Sequence, residues 1–154
     1  MILLDSDVVL IDRRYPNDSR FTANQRALQH LWAGTVPLGI TQQAILEVVG
    51  VLSYNVARSL IPTLFTDVMK NYRLAVVPDV QASPGYAGCT VQEVLLQLNH
   101  QMSLGDAVQA VQIARYASSA IALLTWNARH FTGKIVIPTL TPQEWLNQQT
   151  SGTP

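Results

Sequence analysis

The chain has one cysteine, Cys89, in 154 residues, which excludes an intramolecular disulfide and a cysteine-rich zinc site. The shortage fits a reducing, cytoplasmic setting. Charge is also scarce. Charged residues make up 13% of the chain, about half the usual share, while 48% is hydrophobic. Disorder is therefore not expected, and some apolar surface is expected to be covered by a partner or a second copy. Ten basic residues balance ten acidic ones, so bulk charge gives no support for nucleic-acid binding. Any grip on phosphate would have to be local, through metal ions and a few arginines. Arg13, Arg14, Arg20, Arg26 and Arg129 are available, and each reads most simply as a solvated surface group. Long apolar runs are missing too, so no membrane helix is expected. The start Met1-Ile-Leu-Leu-Asp-Ser-Asp has no basic segment leading into an apolar one, so a secretory signal is not expected either.

The length suits one domain, placed at residues 1–147 with a polar C-terminal tail over 148–154. Short apolar runs alternate with helical patterns. Ile2–Leu4, Val36–Ile40, Leu74–Val77, Ile121–Leu124 and Ile135–Ile137 read as five strands. Helices are expected from Ser6, over Thr22–Ala33, from Thr41 to about Ser53, over Asn55–Asn71, Thr90–Gln101 and Ser103–Ser118, and from Thr141 onward. Gly34 stands where a helix stop belongs, Thr41 where an N-cap belongs, and Pro142 at a favoured first helical position. Pro16 to Asp18, and Ser83, Pro84, Gly85 and Gly88, mark loops. This alternation predicts an α/β fold: a central, mostly parallel sheet of about five short strands with helices on both faces.

In such a sheet, ligands bind beyond the carboxyl ends of the strands. Asp5 follows the first strand directly, and Thr125 and Asn127 follow the fourth. Glu47 is the one carboxylate in the apolar stretch Ala44 to Leu52. It is costly there unless paired, metal-bound or at a cavity, although it also points away from Ile45, Val48, Val49 and Leu52 and so fits a narrow solvent stripe. Asp106, three residues after Ser103, has capping-box spacing and suits a helix N-terminus. A capping role and a role beside a metal are compatible. Asp7 reads either as an outer hydrogen-bond acceptor or as a first-turn helix acid. Asp12, Asp18, Asp67, Asp79, Glu93 and Glu144 read as surface groups. Converging carboxylates repel and hold protons unless a cation joins them. Oxygen ligands without cysteine or paired histidines select magnesium or manganese over zinc. His30, His100 and His130 show no metal-ligand spacing.

The order of these residues resembles the PIN-domain family. The opening Met1-Ile-Leu-Leu-Asp5-Ser6-Asp7-Val8 is similar to its first motif, and Ile40-Thr-Gln-Gln-Ala-Ile-Leu-Glu47 to its second. Ser103-Leu-Gly-Asp106-Ala is similar to the third, and Leu123-Leu-Thr125-Trp-Asn127-Ala-Arg-His-Phe131 to the fourth. The ending Ile137-Pro-Thr-Leu-Thr-Pro-Gln-Glu-Trp-Leu146 also resembles the family's close. The likeness spans residues 1 to about 147, and within the family it is greatest to VapC-type toxins of bacterial toxin–antitoxin pairs. The resemblance implies a PIN-like fold and an endoribonuclease dependent on Mg2+ or Mn2+. It implies a metal site of Asp5, Glu47, Asp106 and Asn127, with Ser6, Asp7 and Thr125 supporting it. It also implies an RNA substrate, an antitoxin partner and a homodimer. Asn127 stands where many relatives carry aspartate, which removes one negative charge.

Two rivals follow from the same residues. A PIN fold with a weakened site would act as a protein- or RNA-binding module, a reading favoured by low charge and by Asn127. An unrelated doubly wound domain for a phosphorylated small molecule would want a glycine-rich loop after the first strand, and Asp5-Ser-Asp-Val offers none.

Overall fold

A computed structural model describes residues 1–81, 86 and 88–151. Five parallel strands form one sheet: β1 (Ile2–Leu4), β2 (Leu38–Thr41), β3 (Leu74–Val77), β4 (Ala122–Leu124) and β5 (Thr139–Leu140), in the order β3-β2-β1-β4-β5. Seven helices connect or flank them: α1 (Ser6–Arg14), α2 (Phe21–Ala33), α3 (Gln42–Ser53), α4 (Ile61–Tyr72), α5 (Val91–Leu98), α6 (Leu104–Tyr116) and α7 (Pro142–Ser151). That is the α/β architecture the PIN resemblance implies. No helix among the described residues is long and apolar enough to cross a membrane.

The strands are short and apolar, and their two-residue period separates two cores. Ile2, Leu4, Leu38, Ile40, Leu74, Val76, Ala122 and Leu124 face one side, where buried residues of α1, α2, α3, α4 and α7 pack on them. Leu3, Val77 and Leu123 face the other, against Ala107, Ala110 and Ile113 of α6, with Val94 and Leu98 of α5 at its edge. Burying one such leucine or isoleucine contributes about 1.5–3 kcal/mol. Gly39 lies at the centre of β2. A Cβ there would meet the Met1 sulfur at 2.9 Å, Leu3 Cδ2 at 3.0 Å and the Ala75 carbonyl oxygen at 3.3 Å.

Helix starts follow their capping residues. The Thr41 hydroxyl accepts from the Ala44 N–H, and Ser103 Oγ from the Asp106 N–H. Thr90 with Glu93, and Thr141 with Glu144, exchange bonds in both directions. Pro62 occupies the first turn of α4, after a short 3-10 turn at Arg58–Leu60 that divides the helix expected from Asn55.

The fifth strand differs from expectation. It is Thr139–Leu140 rather than Ile135–Ile137. Ile137 is buried in the second core, but pairing to β4 starts at the Pro138 carbonyl, which accepts from the Leu123 N–H at 2.9 Å. A proline with no N–H is tolerated there because β5 is an edge strand. Helix α7 runs to Ser151, past the expected domain end at residue 147. Ser83, Pro84 and Gly85 of the expected loop, and the last three residues of the expected tail, lie outside the described residues.

Candidate active site

The carboxyl ends of β1 and β4 create the centre of the site. Their register pairs Leu4 with Leu124. The residues that follow, Asp5 and Thr125, are therefore neighbours although 120 positions apart. The Thr125 hydroxyl lies 2.7 Å from Asp5 Oδ2 and 3.2 Å from Asp7 Oδ2. It has one proton, so the shorter contact to Asp5 is its donated bond, and it accepts from the Asn127 N–H at 3.0 Å. Asp5 Oδ1 accepts from the Ser6 N–H at 2.7 Å as α1 begins. Asp5, Ser6 and Thr125 are all buried.

Asp7 comes off the first turn of α1. Its Oδ2 accepts from the Trp126 N–H at 2.9 Å, whereas its Oδ1 is sealed from solvent without a hydrogen-bond partner. Asp7 is thus built into the site and is more than a helix-dipole acid. Trp126 is held again by its indole N–H, which donates to Asn24 Oδ1 at 2.8 Å.

The other acids arrive from two helices. Glu47 projects from α3 and is exposed as a residue, so the solvent-stripe reading is right about its backbone position. Its carboxyl end nevertheless feels burial, the charges of Asp5 and Asp106, and the Ser6 hydroxyl. Asp106 comes from the first turn of α6, where its N–H is capped by Ser103 while its Oδ2 lies 3.3 Å from His130 Nδ1. Gln109, one turn further along α6, is buried and faces Asp5, although its Nε2 finds no partner at full hydrogen-bonding geometry.

Electrostatics follow from this crowding. Burial, reinforced by Asp106, pushes the Asp5 carboxyl above its ordinary range against the pull of Thr125, the Ser6 N–H and Gln109. Burial and the charge of Asp5 push Asp7 up to about 8, eased by Thr125, the Trp126 N–H and Arg20. Glu47 is raised by burial first, then by Asp5 and Asp106. The acids therefore share one electrostatic neighbourhood that disfavours full ionisation without an added positive charge.

Asp5, Asp7 and Thr125 are in direct contact, and Glu47 and Asp106 stand near enough for charge, though not contact, to link them to Asp5. Asn127 differs: it is exposed, and its tie to the centre runs through its main-chain N–H. The donors suit a hard cation chemically, and the unpartnered Asp7 Oδ1 is an orphaned acceptor of the right kind. As the side chains stand, however, no three His, Cys, Asp or Glu among the described residues are grouped closely enough to hold a metal ion.

Sequence reasoning did not single out Gln109 or Trp126, and it gave His130 no part in the site. Gln109 had one available signal, its position three residues after Asp106 on the same helix face. His130, read as an isolated surface or core histidine, contacts a site acid. Arg20, read as a solvated surface group, pairs with Asp18 and stands over the Trp126 ring. Asp12, read as a surface acid, is part-buried and accepts from the Tyr72 hydroxyl and from Gln25 Nε2. That network joins α1, α2 and α4 away from the site.

No protein-family model and no curated protein matches the chain. Among solved structures, the chain is similar to the crystal structure of Mycobacterium tuberculosis VapC20, titled as a sarcin-ricin loop cleaving toxin. The identity is 14%, the match covers 80% of this chain and 87% of that one, and the TM-score is 0.46.

Proposed function

We propose that this protein is a PIN-type endoribonuclease that uses Mg2+ or Mn2+ to hydrolyse RNA phosphodiester bonds, acting as the toxin of a toxin–antitoxin pair. One observation carries the chemistry: buried Asp5, with both oxygens held by the Ser6 N–H and the Thr125 hydroxyl at the carboxyl edge of the sheet, feels the charge of Asp106, and Glu47 feels both. Their order along the chain is that of the PIN motifs, and this resemblance is what supplies RNA as substrate and an antitoxin as partner.

Asp5, Glu47 and Asp106 would hold the cation, with Asn127 at the rim offering a neutral carbonyl oxygen. When bound, a divalent cation supplies a water of lowered pKa and offsets charge on the scissile phosphate. The chain's own residues then have definite tasks. Thr125 and the Ser6 N–H fix both oxygens of Asp5, so this carboxylate is oriented before substrate arrives. The Ser6 hydroxyl favours the charged form of Glu47. Asp7 fixes the segment after β4 by taking the Trp126 N–H. His130 holds Asp106 from outside.

The implied homodimer and antitoxin contact have a surface available in the groove of about 380 Å³ between α5 and α6, which includes Val91, Leu95 and Leu104. Those three residues are exposed.

The deciding experiment incubates purified protein with labelled single-stranded RNA. Cleavage should require Mn2+ or Mg2+, stop with chelator, and vanish in Asp5→Ala while the circular dichroism spectrum is retained. Undiminished cleavage by Asp5→Ala would end the assignment. The exposed Asn127 and the spread of the acids favour the binding-module reading instead. That reading expects no heat on titration with Mn2+ and no thermal stabilisation by it.

A further inference from the structure

The nuclease reading leaves a gap. The site is ringed by Asp5, Asp7, Glu47 and Asp106, and the chain has no net positive charge to draw in RNA. A local grip at the rim is needed, and Arg20, although paired with Asp18, stands close enough for Asp7 to feel its charge. Arg20 precedes α2, and its guanidinium carbon stands 5.9 Å from the centre of the Trp126 ring. Asp18 holds it from the side: Nε donates to Asp18 Oδ1 at 2.9 Å and Nη2 to Oδ2 at 2.7 Å, while the Arg20 N–H also donates to Oδ1 at 2.8 Å. The fork is thereby fixed with Nη1 outside the pair. The Arg20 side chain remains 43% exposed.

Trp126 beneath it is equally fixed. Its main-chain N–H is bonded to Asp7 and its indole N–H to Asn24, and the part-buried ring packs against the larger core. Asn24 is itself anchored by donating to the Val8 carbonyl at 2.8 Å. Hydrogen bonds therefore lead from the acidic centre through Asp7 to Trp126, whose ring lies under an exposed planar cation.

We propose that Arg20, set over Trp126, is the subsite for a nucleotide flanking the scissile bond, taking its phosphate on the free edge of the guanidinium and its base on the guanidinium plane. This rests on the nuclease reading and names where its RNA is gripped. The alternative role for Arg20 is an exposed ion pair that merely closes the turn before α2, a role worth little to binding or stability.

The test uses the full chain and a fluorescein-labelled single-stranded RNA. Anisotropy is read in chelator, where cleavage is off, across a salt series, and turnover is read separately with Mn2+. Arg20→Ala should weaken binding by about tenfold, on the scale of one lost stacking contact. It should lower the slope of log affinity against log salt by about 0.7, the value of one single-strand phosphate contact. In turnover KM should rise while kcat holds. Arg20→Lys should recover the salt slope but not the full affinity, because an ammonium restores charge without a plane. Thermal melts of both variants check the fold. Wild-type affinity and slope in Arg20→Ala, with wild-type protein binding RNA normally, would overturn this inference alone. A wild-type protein that neither binds nor cuts RNA would overturn the nuclease reading and this inference with it.

Discussion

The two halves of the candidate site are built differently. The half made by β1, α1 and β4 is buried and internally bonded: Asp5 and Thr125 sit at the ends of adjacent paired strands, and nearly every oxygen has a partner. The half made by α3 and α6 consists of acids on helix surfaces. Glu47 is exposed, and Asp106 keeps 22% of its side-chain surface and is met by a half-exposed histidine. The first half is positioned by the sheet, the second by helix packing. The lesson is a division of labour: one carboxylate is oriented by paired strands and its own hydrogen bonds, while the helix acids act on it through charge.

Five substitutions would break or sharpen that contrast, beginning with the largest. Asp5→Ala removes the member on which every neighbour converges, and RNA cleavage should fall to background in a gel assay. Thr125→Val keeps the shape but strips a buried hydroxyl from Asp5 and from the Asn127 N–H. It should cost about 10- to 100-fold in cleavage, as for other groups that orient a ligating carboxylate. It should also cost about 1–3 kcal/mol of stability, read from denaturant melts. Glu47→Gln and Asp106→Asn should weaken Mn2+ binding in calorimetry, by about tenfold each. Without metal, both should leave the melting temperature unchanged or higher, since each removes a like charge. A clear loss of stability in either would show that the second half is as much a part of the scaffold as the first.

The smallest effect concerns Asp7. Burial and Asp5 raise its folded-state pKa from 3.8 to about 8. Between those values the folded protein binds the extra proton, so stability must fall as pH rises through that window. In chelator, the melting temperature should therefore decline from pH 4 toward pH 8. Asp7→Asn, which keeps an acceptor for the Trp126 N–H, should flatten the decline and add a few degrees at neutral pH, about 1 kcal/mol at this chain length. An unchanged slope in Asp7→Asn would assign the pH dependence to other groups.

The legible parts of the sequence were those where one physical signal dominated. Ile2–Leu4 and Leu74–Val77 match the observed strands, because each is a short apolar run bounded by a polar residue or proline. Thr41 and Ser103 cap the helices assigned to them. Asp5, Glu47 and Asp106 were singled out through motif order, and Asp5 feels the charge of Asp106 while Glu47 feels both. The misses lie where residue type is ambiguous. Ile135–Ile137 has a strand's composition, yet its last residue fills the second core while the ladder starts at the next carbonyl. Gln109 and Trp126 carry no charge pattern, and only the packing of α6 and the turn after β4 discloses what they face. Asn127 holds a motif position, but the motif says nothing of which way its side chain leaves the backbone.

Gly39 has no donor, no charge and no place among the site residues, yet it sets the gauge of the sheet beneath them. A methyl group there would press on Leu3, which is fully buried, and on the Ala75 carbonyl. Met1 could swing aside, but the buried Leu3 end would have to give way, which ties this position to the fit of β1 against β2. One of those strands delivers Asp5, and the other leads into the helix of Glu47. A mutational survey that scored only chemically active side chains would pass over this position, although a single added carbon could detune the pocket from below.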